Sequence, residues 1–372
     1  MRKAIFLTHK HALKSEITGG VQLCSQEFHH IIEQIDDIEL HDYYVPYTKN
    51  IMQRVQMKLG MENYSMYDVK KDAPALLAYI EKERIEVVFL NMASLVRYAK
   101  PIKEKFGEKV KIVMLSHGNH SGDFLHLMTK PIKIPGIIKD FLQKIRLGLL
   151  ISTEATHRVH YLDGVVALSE TEKQIENWFG AKKVSFQPRR LYVDFLEYKP
   201  IKGRVGFMGR LDHPPNLQGI SIVLDEFVGK NIEGFNFRLV GAPVEFGKML
   251  QEKYPFVEYL GELSDSDLEK EATTWALLLN PVWWYSTGAS TKLAKAISWG
   301  VPIISTTAGM RGYEWKEGRL LIEDSPRGMA KAIIDIAFDE KKIVEATGQT
   351  RLIASSGLDI KQLVSRITNL CN

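Results

Sequence analysis

The 372-residue sequence is poor in cysteine and has no long apolar run. Its two cysteines, Cys24 and Cys371, lie near opposite ends of the chain, and no CxxC spacing occurs. This excludes a disulfide framework and argues against a zinc or redox motif. The apolar stretch Ala4–Leu7 is too short for the core of a signal peptide, and no run approaches the roughly 20 apolar residues that span a bilayer. We therefore expect a soluble, cytoplasmic protein, or one attached peripherally to the inner face of a membrane.

The sequence also has little net charge. The formal net charge is +4, and residues 1–200 contain 29 Lys and Arg against 24 Asp and Glu, whereas the rest contains 20 against 21. A mildly basic first half suits an anionic acceptor or an anionic membrane surface. No nucleic-acid-binding motif accompanies this charge, so a nucleic-acid partner is not expected.

What the sequence does contain is an alternation of short apolar runs and helical patterns. With 45% hydrophobic and 25% charged residues the composition is that of a globular protein, and the length suggests about two domains. Runs that are apolar on both faces predict parallel strands covered by helices. The predicted strands are Ala4–Thr8, Val87–Asn91, Lys111–Ser116, Gly164–Ser169, Arg204–Met208, Phe237–Val240, Val257–Leu260, Ala276–Asn280 and Pro302–Thr306.

The series of strands restarts near residue 203. The segment Tyr198–Gly203 carries two lysines, a proline and a glycine, and we interpret it as an inter-domain linker. The predicted division is an N-terminal lobe over residues 1–198, a C-terminal lobe over 199–350 and a closing helix over 351–372. The predicted fold class is α/β, with two facing Rossmann-like, doubly wound parallel sheets and a cleft between the lobes.

Glycines and polar residues after the first-half strands are candidate site residues, because ligands in open α/β sheets bind beyond the carboxyl ends of strands. Gly19 and Gly20 lead into a helical pattern, where free backbone N–H groups can meet an anion or a sugar hydroxyl. His117 follows a predicted strand, and its side chain can donate to a sugar hydroxyl or act as a base. Nearby His and Asp residues match no zinc or iron spacing, so we expect no metal site.

The second half offers a phosphate-binding pattern. Gly209 and Arg210 follow a predicted strand, and arginine can fork onto phosphate oxygens. Lys292 lies in the first turn of a predicted helix, where it opposes the helix dipole, a cost that a bound anion offsets. The small and hydroxyl-bearing residues expected to complete this site are Thr287, Gly288, Ala289, Ser290 and Thr291.

These segments resemble glycosyltransferases of the GT-B fold, most closely glycosyltransferase family 4 with its "glycosyl transferases group 1" C-terminal domain. The resemblance covers nearly the whole chain and is clearest from Gly164 onward. The segments that carry it are Val165–Glu170, Val205–Asn216, Leu239–Gly241, Val257–Glu262 and Gly288–Thr306.

The resemblance implies an acceptor-binding N-terminal lobe and a C-terminal lobe that binds a nucleoside-diphosphate sugar. It would put Gly20 near the donor phosphates, His117 near the transferred sugar, and Arg210 and Lys292 on the diphosphate. Residues at the nucleotide-lining strand ends would be Gly209, Gly241 and Leu260. Such an enzyme uses no cofactor or metal, because cationic side chains and a helix N-terminus neutralise the leaving diphosphate.

We therefore expect a cytoplasmic, metal-independent, retaining transferase that moves a hexose to a glycan or lipid-linked acceptor in surface polysaccharide synthesis. Two departures keep alternatives open. Thr287 and Lys295 stand where the family usually has glutamates, and a lysine cannot accept hydrogen bonds from ribose hydroxyls. Pro214–Asn216 stand where the family usually has a lysine after the Gly-Arg segment. One alternative is a non-catalytic partner that binds nucleotide or glycan for another transferase. The other is a nucleotide-sugar epimerase, which would need a pair of acid–base carboxylates.

The segment Lys130–Leu150 is basic and amphipathic. A helix from Ile137 would carry a broad apolar face, with Lys139, Lys144 and Arg146 elsewhere on its surface. Such a helix can lie on an anionic bilayer beside a lipid-linked acceptor. It can equally pack its apolar face on the core of the N-terminal lobe. The residues of this face are Ile138, Phe141, Leu142, Ile145 and Leu149.

Overall fold

The computed structural model describes residues 1–14, 19–58, 64, 66–129, 136–284 and 287–371. The chain divides into two compact units. The first unit contains Met1–Arg189, Thr287–Ala289 and Asp359–Asn372, and the second contains Arg190–Ser286 and Ser290–Leu358. This division differs from the bounds expected from the sequence, 198/199 and 350/351, chiefly because the end of the chain returns to the first unit.

The first unit is built on a six-stranded parallel sheet of order β2-β1-β3-β4-β5-β6. Its strands are β1 (Arg2–Thr8), β2 (Ile38–Tyr44), β3 (Val87–Asn91), β4 (Lys111–Leu115), β5 (Gly164–Ala167) and β6 (Val184–Phe186). All five residues of β3 are buried, as a strand covered by helices on both faces requires.

The second unit has a second six-stranded parallel sheet, of order β12-β11-β10-β7-β8-β9. Its strands are β7 (Ile201–Met208), β8 (Asn236–Val240), β9 (Val257–Gly261), β10 (Trp275–Asn280), β11 (Ile303–Ser305) and β12 (Leu321–Ile322). Each unit has its own apolar core, and the α/β two-domain fold expected from the sequence is confirmed.

Helices cover the sheets of both units. In the first unit they are α1 (Gly20–Glu33), α2 (Ile51–Lys58), α3 (Val69–Glu83), α4 (Ala99–Phe106), α5 (His120–Thr129), α6 (Ile137–His160), α7 (Glu170–Trp178) and, at the end of the chain, α14 (Ile360–Cys371). In the second they are α8 (Pro214–Asp225), α9 (Val244–Lys253), α10 (Asp265–Ala272), α11 (Thr291–Trp299), α12 (Pro326–Ala337) and α13 (Glu340–Ser355). No helix in the described part of the chain is long and apolar enough to cross a membrane.

Every strand expected from the sequence is present, with bounds shifted by a few residues at most. The strands that sequence analysis missed are β2, β6 and β12, and all of them lie at an edge of their sheet. An edge strand has one neighbour and is partly exposed, so it lacks the continuous apolar run that marks a central strand. In β2, for example, one of seven residues is buried.

Two segments were assigned wrongly from the sequence. Ile201–Gly203, taken as the end of a linker, form the start of β7, and the stretch without helix or strand lies earlier, over residues 187–200. The closing helix begins at Ile360, because Arg351–Ser355 still belong to α13. This helix packs against α1 and strands β4 to β6 of the first unit.

The alternative in which α6 packs its apolar face on the core is also wrong. Ile138, Phe141 and Leu149 are exposed, although the helix does begin at Ile137. The residues of α6 that are buried lie nearer its C-terminus: Leu150, Glu154 and Arg158.

The return of α14 to the first unit predicts where a distant substitution acts. Ile367 is fully buried, so Ile367→Ala should lower the free energy of unfolding of the first unit by about 2–5 kcal/mol. Val364→Ala, at a partly exposed position of the same helix, is the matched control and should lower the free energy of unfolding by less. Urea unfolding of both variants checks this, and an equal loss in the two would contradict the packing of α14.

Candidate functional site

Each sheet has one point at which the strand order reverses. In the first unit it lies between β1 and β3, which end at Thr8 and Asn91. In the second it lies between β7 and β10, which end at Met208 and Asn280. Ligands of open α/β sheets bind outside the carboxyl ends of strands at such points. Each unit therefore has one expected ligand-binding position, and most candidate residues lie close to one of them.

His117 of the first unit reaches the carboxyl end of β3. It follows β4, is partly buried, and its Nε2 atom lies 2.9 Å from Oδ1 of Asn91. Burial lowers the pKa of His117 to about 3, and the positive charge of Arg189 lowers it further. The imidazole is therefore neutral at physiological pH.

The hydrogen bonds behind Asn91 fix which nitrogen of His117 carries the proton. The Ser25 hydroxyl donates to the carbonyl oxygen of Val21 (2.8 Å), so its oxygen accepts from Nδ2 of Asn91 (2.9 Å). Nδ2 also donates to Oγ1 of Thr8 (2.9 Å). Oδ1 of Asn91 therefore faces the ring and can only accept, so Nε2 of His117 is the protonated nitrogen.

In this tautomer the second ring nitrogen of His117, Nδ1, has a lone pair and no proton. It can accept a hydrogen bond from a sugar hydroxyl, whereas the sequence analysis expected the ring to donate one or to act as a base. The low pKa of His117 makes it a weak base, so a positioning contact to a hydroxyl is the chemistry that the geometry favours.

The candidate glycines of the first unit lie at the start of α1. Gly19 is the N-cap residue and Gly20 begins the helix, and both are exposed. The φ angle of Gly19 is −71°, which any residue adopts, and an added Cβ would meet the flexible end of the Gln22 side chain. Local backbone geometry therefore does not require glycine here. Residues 15–18, just before this turn, lie outside the described residues.

The second unit carries a lysine without an acidic partner. Lys292 lies in the first turn of α11, and its Nζ atom donates to Oδ1 of Asn216 (2.8 Å) and lies 5.2 Å from the centre of the Phe207 ring. Among the described residues no carboxylate lies within ion-pair distance of it. Burial lowers the pKa of Lys292 to about 7, and the positive charge of Arg311 contributes.

Other cations surround this lysine. Burial lowers the pKa of His213, just before α8, and the positive charges of Lys292 and Arg311 lower it further. Arg210 acts on the pKa of His213 in the same direction, and Asp212 opposes them. We call Lys292, Arg311 and Arg210 the cation cluster; His213 lies beside them and, because its pKa is lowered, is neutral at physiological pH. Because like charges repel, such a cluster is stabilised by a bound anion.

Arg210 is an exposed member of this cluster. Its side chain is 76% exposed and forks onto the Asp212 carboxylate at 3.0 and 2.6 Å. Arg210 therefore forms a surface salt bridge in this structure. Exposed pairs of this kind restrain a side chain weakly, so Arg210 can exchange Asp212 for a phosphate.

Gly209 and Gly241 differ in what an added side chain would contact. An added Cβ on Gly241 would lie 1.9 Å from the carbonyl oxygen of Gly209, so close packing of the two strand ends requires this glycine. At Gly209, whose φ is +145°, an added Cβ would lie 3.7 Å from Nζ of Lys292. A glycine there leaves the ammonium group accessible. Leu260, a third candidate, lies at the partly exposed end of edge strand β9.

Residues 287–291, the loop before α11, were expected to bind an anion together, but they are divided between the two units. Thr287 donates to Asp123 (3.1 Å), and the N–H of Gly288 donates to Oε1 of Glu172 (2.8 Å). These residues and Ala289 belong to the first unit. In the second unit the Ser290 hydroxyl caps α11 by accepting from Leu293, and the exposed Thr291 begins the helix.

The lysine at the usual glutamate position also has an identified partner. Nζ of Lys295 lies 3.3 Å from Oδ1 of Asp265 and 5.0 Å from the centre of the Trp299 ring. It therefore cannot take the place of a carboxylate that accepts from ribose hydroxyls.

Sequence reasoning missed the partners that orient these candidates. Asn91 ends β3, and its position at a strand end was an available signal. Glu172 and Asn216 lie in the first turns of α7 and α8, and Arg311 lies in the segment after β11, so they carried no such signal. The described residues contain no group of three or more His, Cys, Asp or Glu placed to hold a metal ion.

Comparison with known proteins identifies the class of the second unit. Residues 202–339 match the family model described as "Glycosyl transferases group 1". The search of curated proteins found no match. The resemblance inferred from the sequence is therefore confirmed by a match that lies within the second unit.

Solved structures match the fold over nearly the whole chain, each at 14% identity. Sucrose-phosphate synthase from Thermosynechococcus elongatus has a TM-score of 0.67, with 99% of this chain and 98% of that one covered. Alr3699/HepE from Anabaena in complex with UDP-glucose has a TM-score of 0.62, with 99% of each chain covered. The lipopolysaccharide outer core galactosyltransferase WaaB has a TM-score of 0.58, with 99% and 98% covered. The chain has the GT-B fold of these glycosyltransferases.

The low pKa of Lys292 predicts a pH-dependent affinity for a nucleotide sugar, whose phosphates do not titrate near neutral pH. A diphosphate binds the protonated lysine, so affinity should be highest below pH 7 and fall as pH rises through the pKa of about 7. The expected loss is about tenfold between pH 7 and pH 8.5. Isothermal titration calorimetry with UDP-glucose checks this.

The matched variants are Lys292→Met and Lys295→Met, three residues apart on α11. Lys292→Met should weaken binding about tenfold at pH 7 and remove the pH dependence, because a charge-assisted phosphate contact is lost. Lys295→Met should keep the affinity of the unsubstituted protein and its pH dependence. An unchanged pH profile in Lys292→Met would assign the titration to another group and contradict the site.

Proposed function

We propose that this protein is a glycosyltransferase that moves a hexose from a nucleoside-diphosphate sugar to a glycan or lipid-linked acceptor, in the synthesis of a surface polysaccharide. The observation that carries the proposal is the cation cluster around Lys292, which lies at the strand-order reversal of a unit that matches the group 1 glycosyl transferases. A nucleoside diphosphate is the ligand that this site fits.

The charge of the cluster suits the leaving group of such a reaction. When the bond between the sugar C1 and the β-phosphate oxygen breaks, negative charge develops on the diphosphate. Lys292 and Arg311 lie where they stabilise that charge, and Arg210 joins them on release from Asp212. This arrangement needs no metal, and a metal-independent reaction is part of the proposal.

The remaining bond changes follow from the same leaving group. A bond forms between the sugar C1 and the acceptor oxygen, and the acceptor's proton passes to an oxygen of the departing diphosphate. We propose a retaining reaction, as the family resemblance implies. His117 does not take this proton, because its pKa of about 3 makes it a weak base.

His117 instead holds the transferred sugar. Its Nδ1 accepts a hydrogen bond from a sugar hydroxyl, while Nε2–H stays bound to Asn91. Because Asn91 also donates to Thr8 and Ser25, the ring is held in one orientation and one tautomer before substrate binds.

The ligand of one similar structure and the activity of another support the proposed substrates. The Anabaena structure contains UDP-glucose, and WaaB is a galactosyltransferase of the lipopolysaccharide outer core. A UDP-hexose donor and a cell-surface glycan acceptor are therefore the first substrates to test. The mildly basic first half of the sequence suits an anionic acceptor.

A non-catalytic binding protein is the alternative favoured by one observation. Lys295, paired with Asp265, stands where the family has a ribose-binding glutamate. A thermal-shift screen against UDP-, GDP-, CMP- and dTDP-sugars identifies the donor, because a ligand that binds the folded state raises its melting temperature. Sugar transfer to an acceptor glycan, or slow hydrolysis of that donor, identifies an enzyme. Binding without either reaction would support the alternative.

The proposed role of His117 predicts a separation of transfer from binding. His117→Ala should slow sugar transfer by about tenfold or more, since a contact to a sugar hydroxyl is lost, and change the affinity for the free nucleoside diphosphate less than about twofold. His30→Ala, an exposed histidine of α1, is the control and should leave both unchanged. An equal loss of diphosphate affinity in His117→Ala would indicate a structural role instead.

A further inference from the structure

The N-terminal half of α6 carries an apolar face that the described part of the chain leaves exposed. Ile138 is 77% exposed, Phe141 62% and Leu149 58%. Leu142 and Ile145 are exposed as well. With 100° of rotation per residue these five side chains fall on one side of the helix.

Helix α5 of the same unit also exposes apolar side chains. It packs beside α6 and exposes Leu125 and Leu127. Contiguous apolar patches of this kind are uncommon on monomeric proteins and mark a surface that binds a partner or a membrane. We call Ile138, Phe141, Leu142, Ile145 and Leu149 the apolar face.

Cations flank the face on both sides. By helical rotation Lys139 and Arg146 lie along one border and Lys144 along the other. Lys139 is exposed, Lys144 pairs with Asp140 at 2.6 Å, and the Arg146 guanidinium lies 4.3 Å from the centre of the Phe124 ring. Asp140, the acidic residue of this stretch, lies away from the apolar side. An apolar stripe bordered by cations is the pattern of helices that lie in a membrane interface.

We propose that the apolar face docks on an anionic lipid bilayer, with α6 parallel to the membrane plane. Its apolar side chains would enter the boundary between headgroups and acyl chains, and the bordering cations would meet anionic headgroups. Lys130 and Lys133, which the sequence analysis assigned to the same basic stretch, lie outside the described residues.

A second copy of the chain fits this surface less well. A twofold interface brings the same surface of both copies together. Since both borders of the face carry cations, either orientation of two α6 helices would place lysine or arginine against lysine or arginine. Anionic lipid offers complementary charge along both borders of the face, so the bilayer is the occupant that the charges favour.

Vesicle co-sedimentation of the full-length protein tests the proposal. The probes are vesicles of phosphatidylcholine alone and of phosphatidylcholine with phosphatidylglycerol. We expect binding to the anionic vesicles at low salt, a loss of about tenfold at high salt, and little binding to the neutral vesicles. The measurement uses no sugar donor, so its failure would leave the proposed transferase activity intact.

Matched double variants separate the two parts of the surface. Phe141→Ser with Leu142→Ser should reduce binding about tenfold, whereas Trp178→Ser, at a 70% exposed position outside α6, should not. Lys139→Gln with Lys144→Gln should weaken binding to anionic vesicles, and the control pair Lys82→Gln with Lys100→Gln, also exposed lysines, should not. All these positions are exposed, so circular dichroism should show unchanged folding.

Three results would overturn the proposal. The first is no sedimentation with anionic vesicles at low salt. The second is equal binding to neutral and anionic vesicles. The third is a dimer in light scattering that Phe141→Ser with Leu142→Ser abolishes, which would show that a second copy covers the face.

Discussion

Parallel pairing is the constraint on which both units depend. All neighbouring strands in the two sheets run in the same direction, so the loops that follow them emerge at one edge of each sheet. This brings Thr8, Asn91 and His117 together in the first unit, although they lie far apart in the sequence. In the second it brings Gly209 beside Lys292. Both candidate sites follow from what these strand ends place together.

The candidate site of the first unit contains a neutral side chain, and that of the second contains a lysine that can be charged. In the first, burial and a fixed hydrogen-bond chain keep His117 neutral, which suits contact with an uncharged sugar. In the second, Lys292 is buried among cations, so its ammonium is destabilised until an anion arrives. An anion that restores the charge of Lys292 would direct binding energy to the diphosphate.

The central strands and the two-domain fold were predictable from the sequence, because strands buried on both faces have continuous apolar runs. Edge strands such as β2 lacked that signal. The start of β7 was missed because Lys202 and Gly203 interrupt its apolar run. At the site, Lys292 was predictable from its unfavourable place in a helix's first turn. The roles of Asn91, Glu172 and Arg311 were not, because each depends on hydrogen bonds or charges between residues distant in the sequence.

The central claim, that the cation cluster around Lys292 is a nucleoside-diphosphate site, is tested most directly by a crystal structure with UDP. The account predicts a phosphate oxygen within hydrogen-bond distance of Nζ of Lys292, near the backbone of Gly209. It also predicts that Arg210 turns from Asp212 toward the diphosphate. A structure with UDP bound elsewhere, and with Lys292 still bonded to Asn216 alone, would contradict the account.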